Sequence, residues 1–170
     1  MNTQAGPIEE TEHSETARGG KYLTFTLDNE EYGIGIMKVK EIIGLMPVTP
    51  VPRTPEFVLG VINLRGKVIP VIDLRLRFEM ESVESTERTC VIVVEVDGPS
   101  GAVMIGIVVD SVSDVLNISE DDIEGELSFG AGLDTDYIFG MAKLENGVKI
   151  LIDIDKVLNS DELSLIHKTV

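Results

Sequence analysis

GVINLRGKVIPVIDL (60–74) and GMAKLENGVKILIDI (140–154) superimpose at an offset of 80 residues. Gly60 meets Gly140, Leu64 meets Leu144, Val68 meets Val148, Ile72 meets Ile152 and Asp73 meets Asp153. An aromatic precedes each opening glycine by three positions, Phe57 in the first copy and Tyr137 in the second. Each stretch reads as strand, tight turn, strand. Arg65-Gly66-Lys67 marks one turn and Glu145-Asn146-Gly147 the other, where Asn-Gly suits a two-residue β-turn. A repeat of this size governs the fold reading before any residue is taken singly.

The duplication reaches upstream. YGIGIMKVKEII (32–43) overlays IGIVVDSVSDVL (105–116), with Gly33 on Gly106, Ile34 on Ile107, Val39 on Val112 and Glu41 on Asp114. Two matches in the same order predict two similar five-stranded β lobes, roughly 21–80 and 88–154, closed into barrels because closure removes exposed edges. Whether the lobes exchange strands is left open by the pattern.

Other segments fill in this plan. YLTFTL (22–27) alternates Leu23, Phe25 and Leu27 against Thr24 and Thr26, a half-buried strand. MKVKEIIG (37–44) spaces its aliphatics like a short helix or helical turn. Pro47, Pro50, Pro52 and Pro55 make 47–55 an extended connector, and 75–88 reads as a polar loop. TCVIVVEV (89–96) and AVMIGIVVD (102–110) form a hairpin joined through an Asp-Gly-Pro turn. VSDVLNI (112–118) reads as a bent strand. Residues 1–20 are an expected disordered acidic tail, and 155–170 an expected C-terminal helix and tail, broken near Asn159.

The totals exclude several classes. The 170 residues carry a net charge of −16, which repels nucleic acid and anionic headgroups. Hydrophobic residues make up 43% of the chain but aromatics only 5%, so the core is aliphatic and β-branched. No segment reads as a signal peptide or a membrane span, which predicts a cytoplasmic protein without direct membrane binding. The two histidines, His13 and His167, cannot build a zinc cluster. GIGIMK (33–38) has Lys38 where a dinucleotide fingerprint needs glycine. Residues 60–68 imitate a phosphate loop, but Val68 stands where Ser or Thr would hold magnesium. Asp134, Asp136, Asp153 and Asp155 are the only candidates for a metal-dependent hydrolase, and strand ends, caps and solvated loops account for them better. Cys90 sits in an apolar run and reads as a buried small hydrophobe. No cofactor is expected, and the profile is that of a binding module rather than an enzyme.

Differences between the copies point to binding. Arg65 faces Glu145, and Pro70 faces Ile150. A guanidinium at a hairpin tip suits carboxylates or carbonyls. Proline predicts an edge or bulge with room for a partner.

NLRG followed by PVIDL, together with YLTFTLDNEEYGIGIMKVKEIIG, IGIVVDSVSDVL and YIFGMAKLENGVKILIDIDKVLN, resembles the CheW family of bacterial chemotaxis coupling proteins over roughly 21–160. The resemblance implies SH3-like barrels and a non-catalytic adaptor recruited to membrane receptor arrays. Such an adaptor joins the cytoplasmic tips of methyl-accepting chemoreceptors to the regulatory domain of the histidine kinase CheA. An adaptor serving a non-chemotaxis array is the alternative within the same class. Carried over residue by residue, the resemblance implies a receptor-facing groove of Leu23, Ile36, Val39, Glu41, Ile42, Gly60 and Arg65. It implies a kinase-facing surface on the second lobe around Thr89, Cys90, Gly106 and Val112.

Overall fold

The computed structural model describes residues 19–125, 136–159 and 161–164. The expected tail at 1–20 lies outside them up to residue 18, and so does the C-terminal helix beyond residue 164. Eleven strands form two antiparallel-rich sheets. They are β1 (Gly20–Leu27), β2 (Glu30–Gly35), β3 (Val39–Gly44), β4 (Val58–Leu64), β5 (Lys67–Asp73), β6 (Cys90–Gly98), β7 (Gly101–Val109), β8 (Ser111–Ile118), β9 (Ile123–Gly125), β10 (Ile138–Leu144) and β11 (Gly147–Ile152). One sheet has the order β8-β1-β2-β11-β10-β9 and the other β3-β6-β7-β5-β4.

The repeat is visible strand by strand. β1 and β2 pair Tyr22 with Gly35 as β6 and β7 pair Val91 with Val108. β4 and β5 carry a register shift before Gly60, and β10 and β11 carry the same shift before Gly140. Val71 faces Gly106 across a parallel ladder, and Leu151 faces Gly33 across its counterpart. Asp73 N donates to Phe57 O and Asp153 N to Tyr137 O, both at 2.7 Å. The aromatic and the aspartate shared by the two copies thus serve one structural device.

The lobes are not the contiguous halves 21–80 and 88–154. The hairpin β1–β2 of the first repeat joins β8, β9, β10 and β11 of the second, while hairpin β6–β7 of the second joins β3, β4 and β5 of the first. We call the first assembly lobe A and the second lobe B. The exchange is reciprocal: lobe A takes one hairpin from the first repeat and four strands from the second, and lobe B takes one hairpin from the second and three strands from the first.

Burial explains why the sheets curl. Ile62, Leu64, Ile69, Val71, Val91 and Val93 form a cluster drawn wholly from lobe B, and Tyr22, Ile118, Ile123, Ala142 and Leu151 form its counterpart in lobe A. The opposite faces of the same strands meet in a third cluster between the lobes, including Leu23, Phe25, Ile72, Ile92, Ile105 and Ile107. β6 and β7 are therefore buried on both faces, and their sequences are continuous aliphatic runs instead of alternating ones. Aromatic rings line the same junction: Phe78 stacks on Tyr137 at 4.4 Å and lies tilted to Tyr32 at 5.9 Å.

Three local readings are corrected. Residues 39–44 form strand β3 and not a helical turn; only Ile36–Lys38 is a 3-10 turn. The ladder to β6 and three β-branched side chains outweigh the helical spacing. The loop at 75–88 opens with one helical turn, α1 (Leu74–Arg77), because Asp73 accepts from the amides of Arg75 and Leu76 as its N-cap. Pro70 is not at an edge, since β5 lies between β4 and β7. Its missing N–H falls where the β5–β7 ladder stops, at Val71.

Candidate functional site

Lobe B brings two candidate residues into direct contact. β3 and β4 are the two ends of its sheet. The β4–β5 turn carries Arg65 at φ 52°, a left-handed conformation held by its two-residue turn. Asn63 Oδ1 accepts from Gly66 N at 2.8 Å and fixes that turn. From this tip Arg65 reaches across to β3. Its Nη1 donates to Glu41 Oε2 at 3.0 Å, and its Nη2 donates to Glu41 Oε1. The hydrogen bond from Arg65 holds the Glu41 carboxyl below the usual carboxylate range. The two polar candidates thus bind each other and close the lobe between its end strands.

Around this pair, Ile42 is 44% exposed on β3, while Ile36 and Val39 are partly buried against the interlobe core. Lys40 pairs with Glu95 at 2.8 Å and Lys38 with Asp155 at 2.8 Å, so the face alternates charge with aliphatic surface. Met37, 87% exposed on the 3-10 turn, belongs to this face and was missed by the sequence reading. Its signal was an apolar residue at a place where the chain passes between the lobes.

Two expected groove residues lie behind the surface. Leu23 is 2% exposed and packs in the interlobe core. Gly60 has φ 145°, and a Cβ there would meet Thr49 O at 2.1 Å. Thr49 exchanges both backbone hydrogen bonds with Val61, so Gly60 allows the connector to lie against β4.

The other expected set straddles the lobes instead of lying on one. Thr89 and Cys90 open β6 in lobe B, and Val112 lies on β8 in lobe A. Cys90 and Val112 meet at an interlobe cavity of about 550 Å³ lined also by Thr26, Glu31, Arg88 and neighbouring serines. Cys90 is half-buried, not fully buried as its run suggested, and burial pushes its thiol up. Thr89 Oγ1 accepts from Thr86 N at 2.8 Å. Gly106 is set inside lobe B, where a Cβ would lie 2.7 Å from Val91 Cγ1, so its place is in packing.

A charged clamp lies beneath. Arg75 donates from Nε and Nη2 to the two oxygens of Asp110 at 2.9 and 2.8 Å. Asp110 is the single residue between β7 of lobe B and β8 of lobe A. Its carboxylate also accepts from Asp28 N at 2.8 Å, and its own N–H donates to Thr26 O at 3.0 Å. Burial alone would raise the Asp110 carboxyl; the bonds from Arg75 and Asp28 outweigh it and hold the group below its ordinary value.

Two of the aspartates considered for metal chemistry are engaged otherwise. Asp153 caps the 3-10 turn Ile154–Lys156. Asp155 pairs with Lys38 and accepts from Asp97 N at 3.0 Å. Asp134 lies outside the described residues. Among the described residues, no group of three or more His, Cys, Asp or Glu converges as a metal site, and no helix is long and apolar enough to cross a membrane.

Comparison with known proteins agrees with this architecture. A family model described as a CheW-like domain matches residues 21–162. The chain is 45% identical over 148 residues to the chemotaxis protein CheW of Klebsiella aerogenes, covering 87% of each. It is 35% identical over 147 residues to CheW of Rhizobium meliloti, covering 86% of this chain and 92% of that protein. The crystal structure of the scaffolding protein TtCheW from Thermoanaerobacter tengcongensis matches with a TM-score of 0.74 at 35% identity, over 85% of this chain and 95% of that one. The paired β lobes, the repeated hairpins and these matches together establish that the chain belongs to the CheW-like domain family of chemotaxis scaffold proteins.

Proposed function

We propose that this protein is a non-catalytic adaptor that couples the cytoplasmic tips of methyl-accepting chemoreceptors to the histidine kinase CheA. Family membership over 21–162 is the observation that carries this reading. The two accessible faces give it a physical basis. The receptor tip docks on the face of Ile36, Met37, Val39 and Ile42, with the Arg65–Glu41 pair beside it. Aliphatic contacts supply most of the affinity and the charges mainly specificity. The kinase regulatory domain docks at the interlobe cavity of Cys90 and Val112, with Thr89 beside Cys90 in sequence. Because the two faces share β3, β6 and the strand-exchanged junction, a rigid link joins them, and the protein acts at the membrane array while remaining cytoplasmic.

The test is a sedimentation assay with receptor cytoplasmic fragments and CheA from the same organism. The adaptor reading expects co-sedimentation with both at micromolar concentrations. Binding to neither would end it.

A further inference from the structure

Comparing equivalent seams in the two lobes exposes a difference unrelated to the faces above. In lobe A, β11 and β2 pair in parallel from Lys149–Glu31 to Leu151–Gly33. Lys149, 4% exposed, seals the outer end of that seam with an ion pair to Glu31 at 2.6 Å. The equivalent residues of lobe B are Ile69 and Met104, which cannot make such a bond. There the ladder, also three pairs long, runs from Val71–Gly106 to Asp73–Val108, so it begins at the pair where the other ends. Pro70 has no N–H to extend it.

Beyond Pro70 the strands part around a cavity of about 280 Å³ lined by Lys67, Val68, Ile69, Pro70, Ala102, Val103 and Met104. This is below the roughly 300–1,000 Å³ of a small-molecule pocket. It suits one or two side chains of a peptide.

β7 offers main-chain groups at this opening. Gly98–Gly101 closes the β6–β7 turn, and in an antiparallel ladder bonding alternates from there. The N–H and C=O of Ala102 and Met104 therefore point away from β6, toward the side that β5 has vacated. Ala102 is exposed and Met104 half-buried, so an added strand can reach these main-chain groups, as at a sheet edge. Val68, 50% exposed, forms an apolar lip. Lys67 stands at the mouth without an ion pair among the described residues, on a chain of net charge −16.

We propose that the free edge of β7 at Ala102–Met104 is a docking strip for an extended segment of a partner protein, aliphatic in sequence and acidic at its C-terminal end. The segment runs antiparallel to β7, adding a strand by main-chain hydrogen bonds. One aliphatic side chain enters the opening between Ile69 and Met104. The antiparallel direction brings the acidic end to Lys67.

Two experiments test this on the full chain. Amide hydrogen exchange should show Ala102 and Met104 exchanging fast beside slowly exchanging Val103 and Ile105. Uniform protection across 102–105 would mean the edge is already satisfied and would overturn the proposal. The acetylated peptide Thr-Val-Thr-Val-Glu should then slow exchange at Ala102 and Met104 at least tenfold and shift their NMR resonances. K67E should weaken that binding at least fivefold while leaving the 102/104 exchange pattern unchanged. Shifts confined to other residues, or none at millimolar peptide, would overturn it. Self-association that protects the same amides without peptide would also overturn it, by making the occupant a second copy.

Discussion

Arg65 and Glu41, 24 residues apart in sequence, hold each other by a two-point ion pair across the ends of one sheet. Both oxygens of the carboxylate and both terminal nitrogens of the guanidinium are engaged. R65E should therefore leave the melting temperature nearly unchanged, because both side chains are open to solvent and exposed pairs contribute little. It should abolish receptor co-sedimentation. The double exchange E41R/R65E should restore part of it if the pair acts as a unit.

pH offers a separate check on the same pair. The Glu41 carboxyl is depressed in the folded protein. Its contribution is fully present above the ordinary carboxylate range and is lost as pH falls through the lowered folded value. Receptor binding in sedimentation should hold from neutral pH through the ordinary glutamate range and fall only below it.

Lys149 and Glu31 form the one buried-lysine pair among the described residues. E31A leaves the ammonium buried alone and should cost roughly 2–3 kcal/mol in urea unfolding, less than a fully buried pair because Glu31 is partly exposed. K149I copies the residue of the other repeat, Ile69, and should be close to neutral. The double variant should lose less than E31A alone.

Thr24 is fully buried, and its hydroxyl donates to Asp114 O and accepts from Asp114 N, both at 3.1 Å. It fills the register shift between β1 and β8. T24V should cost about 1–3 kcal/mol by orphaning both backbone groups, and T24S should restore most of it.

Cutting the chain within 79–88 tests the strand exchange. Each fragment of the nicked protein would still contribute a hairpin to the other's remaining strands. The fragments should co-elute under native conditions and separate only in denaturant.

The hairpins 60–74 and 140–154 were legible because turn chemistry and aliphatic alternation are local. The shared Asp73 and Asp153 were legible as structural, and both prove to be caps. β3 was misread because VKEII satisfies helical and strand spacing equally, and only the ladder to β6 decides. The hairpin exchange was invisible, since Leu23–Val115 and Val71–Gly106 are long-range pairings that no periodicity encodes. Leu23, Gly60 and Gly106 entered the candidate sets because resemblance carries positions and not exposure. Lys149 was readable in principle, as a lysine aligned with the aliphatic Ile69.

The reciprocal hairpins also make the molecule a fused pseudo-dimer. One repeat alone has a hairpin without strands to join and remaining strands without a hairpin, so each repeat completes the other as a partner chain would. An outer position can then exist twice on the surface, as Val68 and Val148 do at 50% and 51% exposure. A partner recognising only the shared features would meet two equivalent sites. Arg65 opposite Glu145, and Pro70 opposite Ile150, break that degeneracy and give the chain a direction.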